Sequence, residues 1–363
     1  MSLPGAPSSS SKDLSPLPPR HQLQHHHKHN SPSAADTMKS ILAQSLLASG
    51  AIASAASPPT TWSGGDDTPL PLVIWHGLGD SYNGEGIQHV AELADELFPG
   101  IYVHTVRLGA DANADRSATF FGNVSEQVES LCEVLAADPI LSSAPAIDAI
   151  GFSQGGQFLR AYVERCNAPP VRSLLTFGSQ HNGIVRFRAC GDNDYLCKGA
   201  MALLRFNTWS GFVQSRLVPA QYYRDPEPEQ YEHYLDSSAF LADINNERVL
   251  KNTLYAKRIE ALENFVMIMF EDDTTVIPKE TAWFEEVNGT ESVPLRARDL
   301  YREDWLGLRA LDRKGGLRFR QIPGDHMQFT DETLEDYMKE FLGPEGRSFA
   351  PEADKEDYRP EEL

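Results

Sequence analysis

The chain has 363 residues, 52 of them acidic and 32 basic, and 41% are apolar, enough for the core of one large domain or two small ones. A formal charge of -20 repels phosphate and argues against sequence-independent binding to nucleic acid or an anionic membrane. No stretch reaches the roughly 18 to 20 apolar residues of a membrane-spanning helix, so no transmembrane segment is expected, and no sustained period points to a coiled coil or a repeat array.

Residues 1–37 are rich in Ser, Pro and His, with His25, His26, His27 and His29 close together. Such a composition builds no core and is read as a disordered leader. At Met38 the character changes: Lys39 precedes an apolar run through Ile41, Leu42, Leu46 and Leu47, and Ala53-Ser54-Ala55 looks like a cleavage site. Residues 38–56 read as a secretory signal peptide, with Met38 as the initiator. From Pro71 onward short apolar runs alternate with helical spacing. Strands are predicted at 72–75, 101–106, 147–152, 172–177, 265–270 and 317–322, and helices at 87–97, 124–136, 154–166 and 334–341. That alternation predicts an α/β fold over 68–345, a mainly parallel sheet covered by helices on both faces. The rhythm breaks at 183–262, read as a mostly helical, lid-like insertion. Residues 346–363 read as an acidic disordered tail.

Cys132, Cys166, Cys190 and Cys197 make an even count without a CxxC pair, which fits two disulfides better than a zinc site. Asn123-Val124-Ser125 and Asn288-Gly289-Thr290 are glycosylation acceptors if the chain enters the secretory pathway.

Gly151-Phe152-Ser153-Gln154-Gly155 matches Gly-x-Ser-x-Gly, with a strand running in and a helix running out. This is the context of a nucleophile elbow, in which glycines allow a sharp turn and close packing while the serine stands above the sheet edge. A serine needs a base, and in this arrangement acid and histidine follow it in that order. His326, in a Gly324-Asp325-His326 turn after the last strand, stands where the base belongs; Asp272 and Asp273 both follow the 265–270 strand and position alone does not choose between them. Two oxyanion donors are required. The backbone N–H groups of Gln154 and of Leu78, in the loop after the first strand, are the candidates, whereas His76 before a glycine turn reads as structural.

These residues resemble the lysosomal palmitoyl-protein thioesterases. The likeness rests on PLVIWHGLGDS at 71–81, PGIYV at 99–103, IGFSQGGQFLRA at 150–161, RC at 165–166, FLADINNER at 240–248, FVMIMFEDD at 265–273 and GDH at 324–326. It implies an α/β-hydrolase that cleaves long-chain acyl thioesters from cysteine of S-acylated proteins or peptides, without metal or organic cofactor, in the lysosome or vacuole or after secretion. Carried over by residue, it implies Ser153 as nucleophile, Asp273 in preference to Asp272 as acid, His326 as base, Leu78 and Gln154 as oxyanion donors, and disulfides Cys132–Cys166 and Cys190–Cys197. The sequence departs from the family where Tyr82 and Asn83 replace an adjacent cysteine pair, and the leader and tail have no counterpart. Within the insertion, Leu203, Leu204, Phe206, Trp209, Phe212 and Val213 form the densest apolar set and are expected to hold the acyl chain. The triad by itself also fits a lipase or carboxylesterase, and a catalytically silent binding protein is the reading from another class.

Overall fold

The computed structural model describes residues 61–65 and 67–350, so the leader, the signal-peptide reading and residues 351–363 of the tail lie outside the described residues. The chain enters through β1 (Leu72–Trp75), α1 (Glu85–Leu97) and β2 (Val103–Thr105), then runs through α2 (Ala112–Phe120), α3 (Val124–Ala137) and α4 (Pro139–Ser143). A strand–helix–strand unit follows: β3 (Ile147–Phe152), α5 (Gln154–Arg165) and β4 (Val171–Phe177). Between β4 and the next strand lie α6 (Tyr195–Asn207), α7 (Gly211–Gln214), α8 (Pro228–Ser237), α9 (Leu241–Ile244) and α10 (Thr253–Glu260), with a 3-10 turn at Val218–Tyr222. The chain closes with β5 (Asn264–Phe270), a hairpin of β6 (Glu286–Asn288) and β7 (Glu291–Val293), α11 (Asp299–Arg302), α12 (Leu308–Arg313), β8 (Leu317–Ile322) and α13 (Asp331–Phe341). Among the described residues no helix is long and apolar enough to cross a membrane.

Six strands form one sheet in the order β2-β1-β3-β4-β5-β8, every pair parallel. A parallel sheet is buried on both faces, and its inner strands β1, β3, β4 and β5 are buried along their whole length, whereas the edge strands β2 and β8 are only partly so. Alternation sorts their side chains into two cores. Leu72, Ile74, Ile150, Leu175 and Val266 pack with Ile87 and Val90 of α1 and Leu334 and Met338 of α13. Val73, Trp75, Ala149, Leu174 and Met267 face the other way, among Val128 of α3, Phe158 of α5, Ile259 of α10 and Leu311 of α12. The chain therefore has the parallel α/β architecture that its strand–helix rhythm predicts, as expected of the α/β-hydrolase fold that the resemblance implies.

Cys132 bonds Cys166, fastening α3 to the end of α5, and Cys190 bonds Cys197 at the entry to α6, as the resemblance implies. The insertion is anchored by charge as well. Arg224 donates to Glu247 at 3.0 Å and to Glu286 at 2.6 Å, Arg298 to the same two carboxylates at 3.3 and 3.0 Å, and the Tyr234 hydroxyl to Glu247 at 2.6 Å. Burial disfavours the Glu247 charge, but Arg224, Arg298 and the tyrosine outweigh it and hold the carboxyl below its ordinary range. Removing one partner from such a cluster leaves an uncompensated buried charge.

Candidate active site

β3 delivers Ser153 onto α5 through a turn in which the serine has φ 52° and ψ -124°, a positive φ that a non-glycine residue adopts only when its surroundings impose it. They do so here. A Cβ added to Gly155 would stand 2.3 Å from the Trp75 carbonyl oxygen, and one on Gly151 would stand 2.2 Å from the Gly156 Cα, so strand and helix meet closer than any side chain permits. The serine lies at the C-terminal edge of the sheet, where parallel α/β folds open their sites.

The loops after β8 and β5 complete the group. His326 Nε2 lies 3.1 Å from Ser153 Oγ, and His326 Nδ1 lies 2.7 Å from Asp273 Oδ2. With Nδ1–H donating to the carboxylate, Nε2 is left to accept from the serine hydroxyl. Asp273 is fixed in turn: its Oδ1 accepts the N–H groups of Thr275 and Val276, both at 2.8 Å, and its side chain is only 1% exposed. Asp272 is exposed; its backbone N–H donates to Gly324 O at 3.0 Å. Of the two carboxylates, it is that of Asp273 that meets the imidazole. Asp325, next to the histidine, accepts from the Thr274 N–H and the His326 N–H, both at 2.8 Å, which hold its carboxyl at about 2 and tie the acid loop to the base loop. His181 is buried elsewhere, stacked at 5.0 Å on Phe284, and its burial pushes its pKa well below the usual value.

The loop after β1 is held by α2, a helix the apolar pattern does not announce. His76 Nε2 is 3.0 Å from buried Asp115, a structural placement like the one expected for it. Asp115 also accepts the N–H groups of Tyr82 at 2.7 Å and Gly109 at 2.9 Å. Burial opposes the Asp115 charge, yet His76 and the backbone N–H groups hold its pKa below the ordinary value. Thr119 Oγ1 accepts the Gly79 N–H at 2.9 Å, and Arg116 Nε donates to Gly79 O at 2.9 Å. Gly79 has φ +82°, so its carbonyl and N–H are presented to α2 in a conformation suited to glycine. Gln154, at the head of α5, donates its side-chain N–H to Thr119 O at 3.3 Å and accepts the Tyr222 hydroxyl at 3.1 Å.

The palmitoyl protein thioesterase family model matches residues 71–326, from the residue before β1 to the histidine itself. The chain belongs to the palmitoyl protein thioesterase family. Palmitoyl-protein thioesterase 1 of Caenorhabditis elegans is 38% identical to it over 278 residues, 75% of this chain and 92% of that protein. Palmitoyl-protein thioesterase 3 of Dictyostelium discoideum is 34% identical, over 75% of this chain and 89% of that protein. The human lysosomal thioesterase PPT2 is more distant, 28% identical over 68% and 78% of the two chains.

In this thioesterase family member a cavity of about 690 Å³ opens at Ser153 and His326. It is lined by Leu78, Phe120, Ile184, Phe187 and Met201 with the Cys190–Cys197 disulfide, and by Ile87 and Val90 of α1 with Met327 and Phe329. The groove expected from the insertion's densest apolar set is not where that set lies. Leu203 and Phe212 face solvent, 37% and 61% exposed, while Leu204 and Val213 are buried with Phe120 and Leu217 under the lid. Trp209 packs on Tyr223 and donates to Gln230, and the Phe206 side chain lies outside what is described. None of the five described side chains lines the cavity. Helical spacing explains the miss: on α6 the residues that pack inward are interleaved with those that face out, and hydrophobicity does not distinguish the two. Phe187 and Met201 wall the cavity although Phe187 stands between two arginines and Met201 is one apolar residue among many.

Proposed function

We propose that this chain removes long-chain fatty acyl groups, palmitoyl foremost, from cysteines of S-acylated proteins and peptides through an acyl-Ser153 intermediate. The observation that carries the reading is the hydrogen-bond chain from Asp273 through His326 to Ser153 at the mouth of an apolar cavity. As Ser153 Oγ adds to the thioester carbonyl, its proton passes to His326 Nε2, and Asp273 stabilises the imidazolium through Nδ1–H. The carbonyl oxygen takes up the negative charge and accepts the N–H groups of Leu78 and Gln154. Collapse of the tetrahedral species breaks the carbon–sulfur bond, and the imidazolium proton goes to the departing sulfur. A thiol of ordinary pKa about 8.5 leaves with less help than an alcohol or amine. Water then gives a proton to His326 and adds to the acyl-serine; the second collapse returns that proton to Oγ and frees the fatty acid.

The acyl chain lies along Leu78, Phe120, Ile184, Phe187 and Met201, where each buried methylene contributes about 0.8 kcal/mol. Action in a lumenal or extracellular compartment, the lysosome or vacuole among them, is supported by the two disulfides and by the signal-peptide reading of 38–56. There Asn123 and Asn288 become glycan acceptors, Asn288 at an exposed hairpin turn. The test compares an S-palmitoyl peptide with the matching oxygen ester. Rapid release from the thioester, lost in Ser153→Ala, is expected. Preference for the oxygen ester would make the chain a lipase or carboxylesterase, and failure of a fluorophosphonate to label Ser153 would leave a binding protein.

A further inference from the structure

One side chain at the rim of the cavity belongs to two parts of the molecule. Arg116 of α2 donates through Nε to Gly79 O at 2.9 Å and through Nη2 to Asp194 Oδ2 at 3.1 Å. Gly79 follows Leu78 in the loop after β1, and its N–H is held by Thr119, so α2 grips that residue by both backbone groups. Asp194 is the N-cap of α6: its Oδ1 accepts the Cys197 N–H at 3.1 Å, inside the loop closed by Cys190–Cys197. Cys197 and Met201 of the same helix wall the cavity, and the Leu78 side chain packs against the cluster that α6 covers. A single planar guanidinium therefore joins the turn that carries Leu78 to the helix that bounds the acyl side. The pair is partly solvated, with side-chain exposures of 36% and 30%, and such a pair adds little to stability. What it does fix is geometry, because the two donors sit at set positions on a rigid fork that lysine cannot reproduce.

We infer that Arg116 is a positioning residue through which the seating of α6 aims the Leu78 N–H at the developing oxyanion. With α6 seated, Asp194 holds the guanidinium against Gly79 O and the turn is rigid. When α6 lifts, the guanidinium loses its second anchor and the turn gains freedom, and small misplacements of a transition-state donor are costly in rate. The lid then sets turnover as well as chain-length preference. This rests on the proposed activity, with Leu78 as an oxyanion donor.

The test is a double-mutant cycle on the full secreted chain with Asp194→Asn, Arg116→Met and both together, reading kcat and KM on acetyl and palmitoyl thioesters and the melting temperature. Asp194→Asn is expected to lower kcat about threefold to tenfold on the acetyl as well as the palmitoyl substrate, with acetyl KM and melting temperature unchanged. The double variant should be no slower than Arg116→Met alone, and Arg116→Lys should not restore the rate. Added salt should slow the wild type toward Asp194→Asn and leave that variant flat. An acetyl kcat that survives Asp194→Asn, or losses that multiply in the double variant, would overturn the link. If the wild type cleaves no thioester, the functional reading fails separately. The same cycle on the rate of fluorophosphonate labelling of Ser153, which also passes through a charged oxygen, then decides the link, with non-additive losses supporting it and unchanged or multiplying ones refuting it.

Discussion

The two walls of the cavity are built by different means. On one, Ser153, Asp273 and His326 follow the C-terminal ends of β3, β5 and β8 in a single sheet, with Asp273 and Asp325 pinned by backbone N–H groups. On the other, α6 leaves Tyr195 and Leu203 exposed at 78% and 37% and is fastened at its start by the Cys190–Cys197 disulfide and a partly solvated ion pair. The contrast teaches a division of labour. Ser153, His326 and Asp273 are fixed by bonds to the sheet and its loops, and the side bounded by α6 is held by a disulfide, an ion pair and a small apolar cluster.

The largest expected effect falls on the first wall. Asp273→Asn should lower kcat about 10⁴-fold, as when a triad carboxylate can no longer hold the histidine tautomer, whereas Asp272→Asn, one residue away and exposed, should stay within about twofold of wild type. Equal losses measured with a palmitoyl thioester would erase the distinction between the two carboxylates. Next comes the scaffold. Replacing Cys132 and Cys166 together by Ala opens a loop of 34 residues and should cost about 3 to 4 kcal/mol in denaturant unfolding, while the Cys190 and Cys197 pair, seven residues apart, should cost less. An inverted order would mean that the lid, not the sheet, holds the fold.

A smaller effect separates the walls by substrate. Phe187→Ala should reduce kcat/KM for palmitoyl thioesters about tenfold through lost apolar burial and leave acetyl thioesters within about twofold; Phe212→Ser, on the outer face of the lid, should change neither. Loss of acetyl turnover in Phe187→Ala would show that the acyl wall also shapes the reacting groups by a direct route. The smallest effect concerns pH and lies in the scaffold. Burial pushes the Asp148 carboxyl up to about 6 and that of Glu164 up to about 7, despite Arg172 and Arg160 beside them. A carboxyl raised on folding contributes stability that is full below its ordinary pKa and lost as pH rises through the folded value. The melting temperature should therefore be higher at about pH 5 than at about pH 7.5, and Glu164→Gln should flatten the slope. Further acidification reverses the trend, because Asp115 and Glu247, held below their ordinary values, then take up protons.

Strands β1, β3 and β5 match the predicted runs to within one residue because they are buried along their whole length and mostly apolar, so they stand out in sequence. The Gly-x-Ser-x-Gly turn was legible for a similar reason, since the elbow demands glycines at fixed places. Helix α2 was not: of its nine residues only Asp115, Thr119 and Phe120 are buried, and its task is to present polar groups to a loop rather than an apolar stripe to the core. The insertion was placed as helical, yet the described members of its densest apolar set do not line the cavity at Ser153.

By itself the sequence determined the parallel sheet, the turn at Ser153 and a histidine after the last strand, because each follows from local pattern: buried strands, glycines where chains touch, and chain order. Only the tertiary structure decided which aspartate faces His326, how α2 grips the turn at Gly79 and which apolar residues of the lid meet the cavity. Those depend on where elements far apart in sequence come to rest against one another. The direction in which a side chain points is set by packing that no local window of sequence contains.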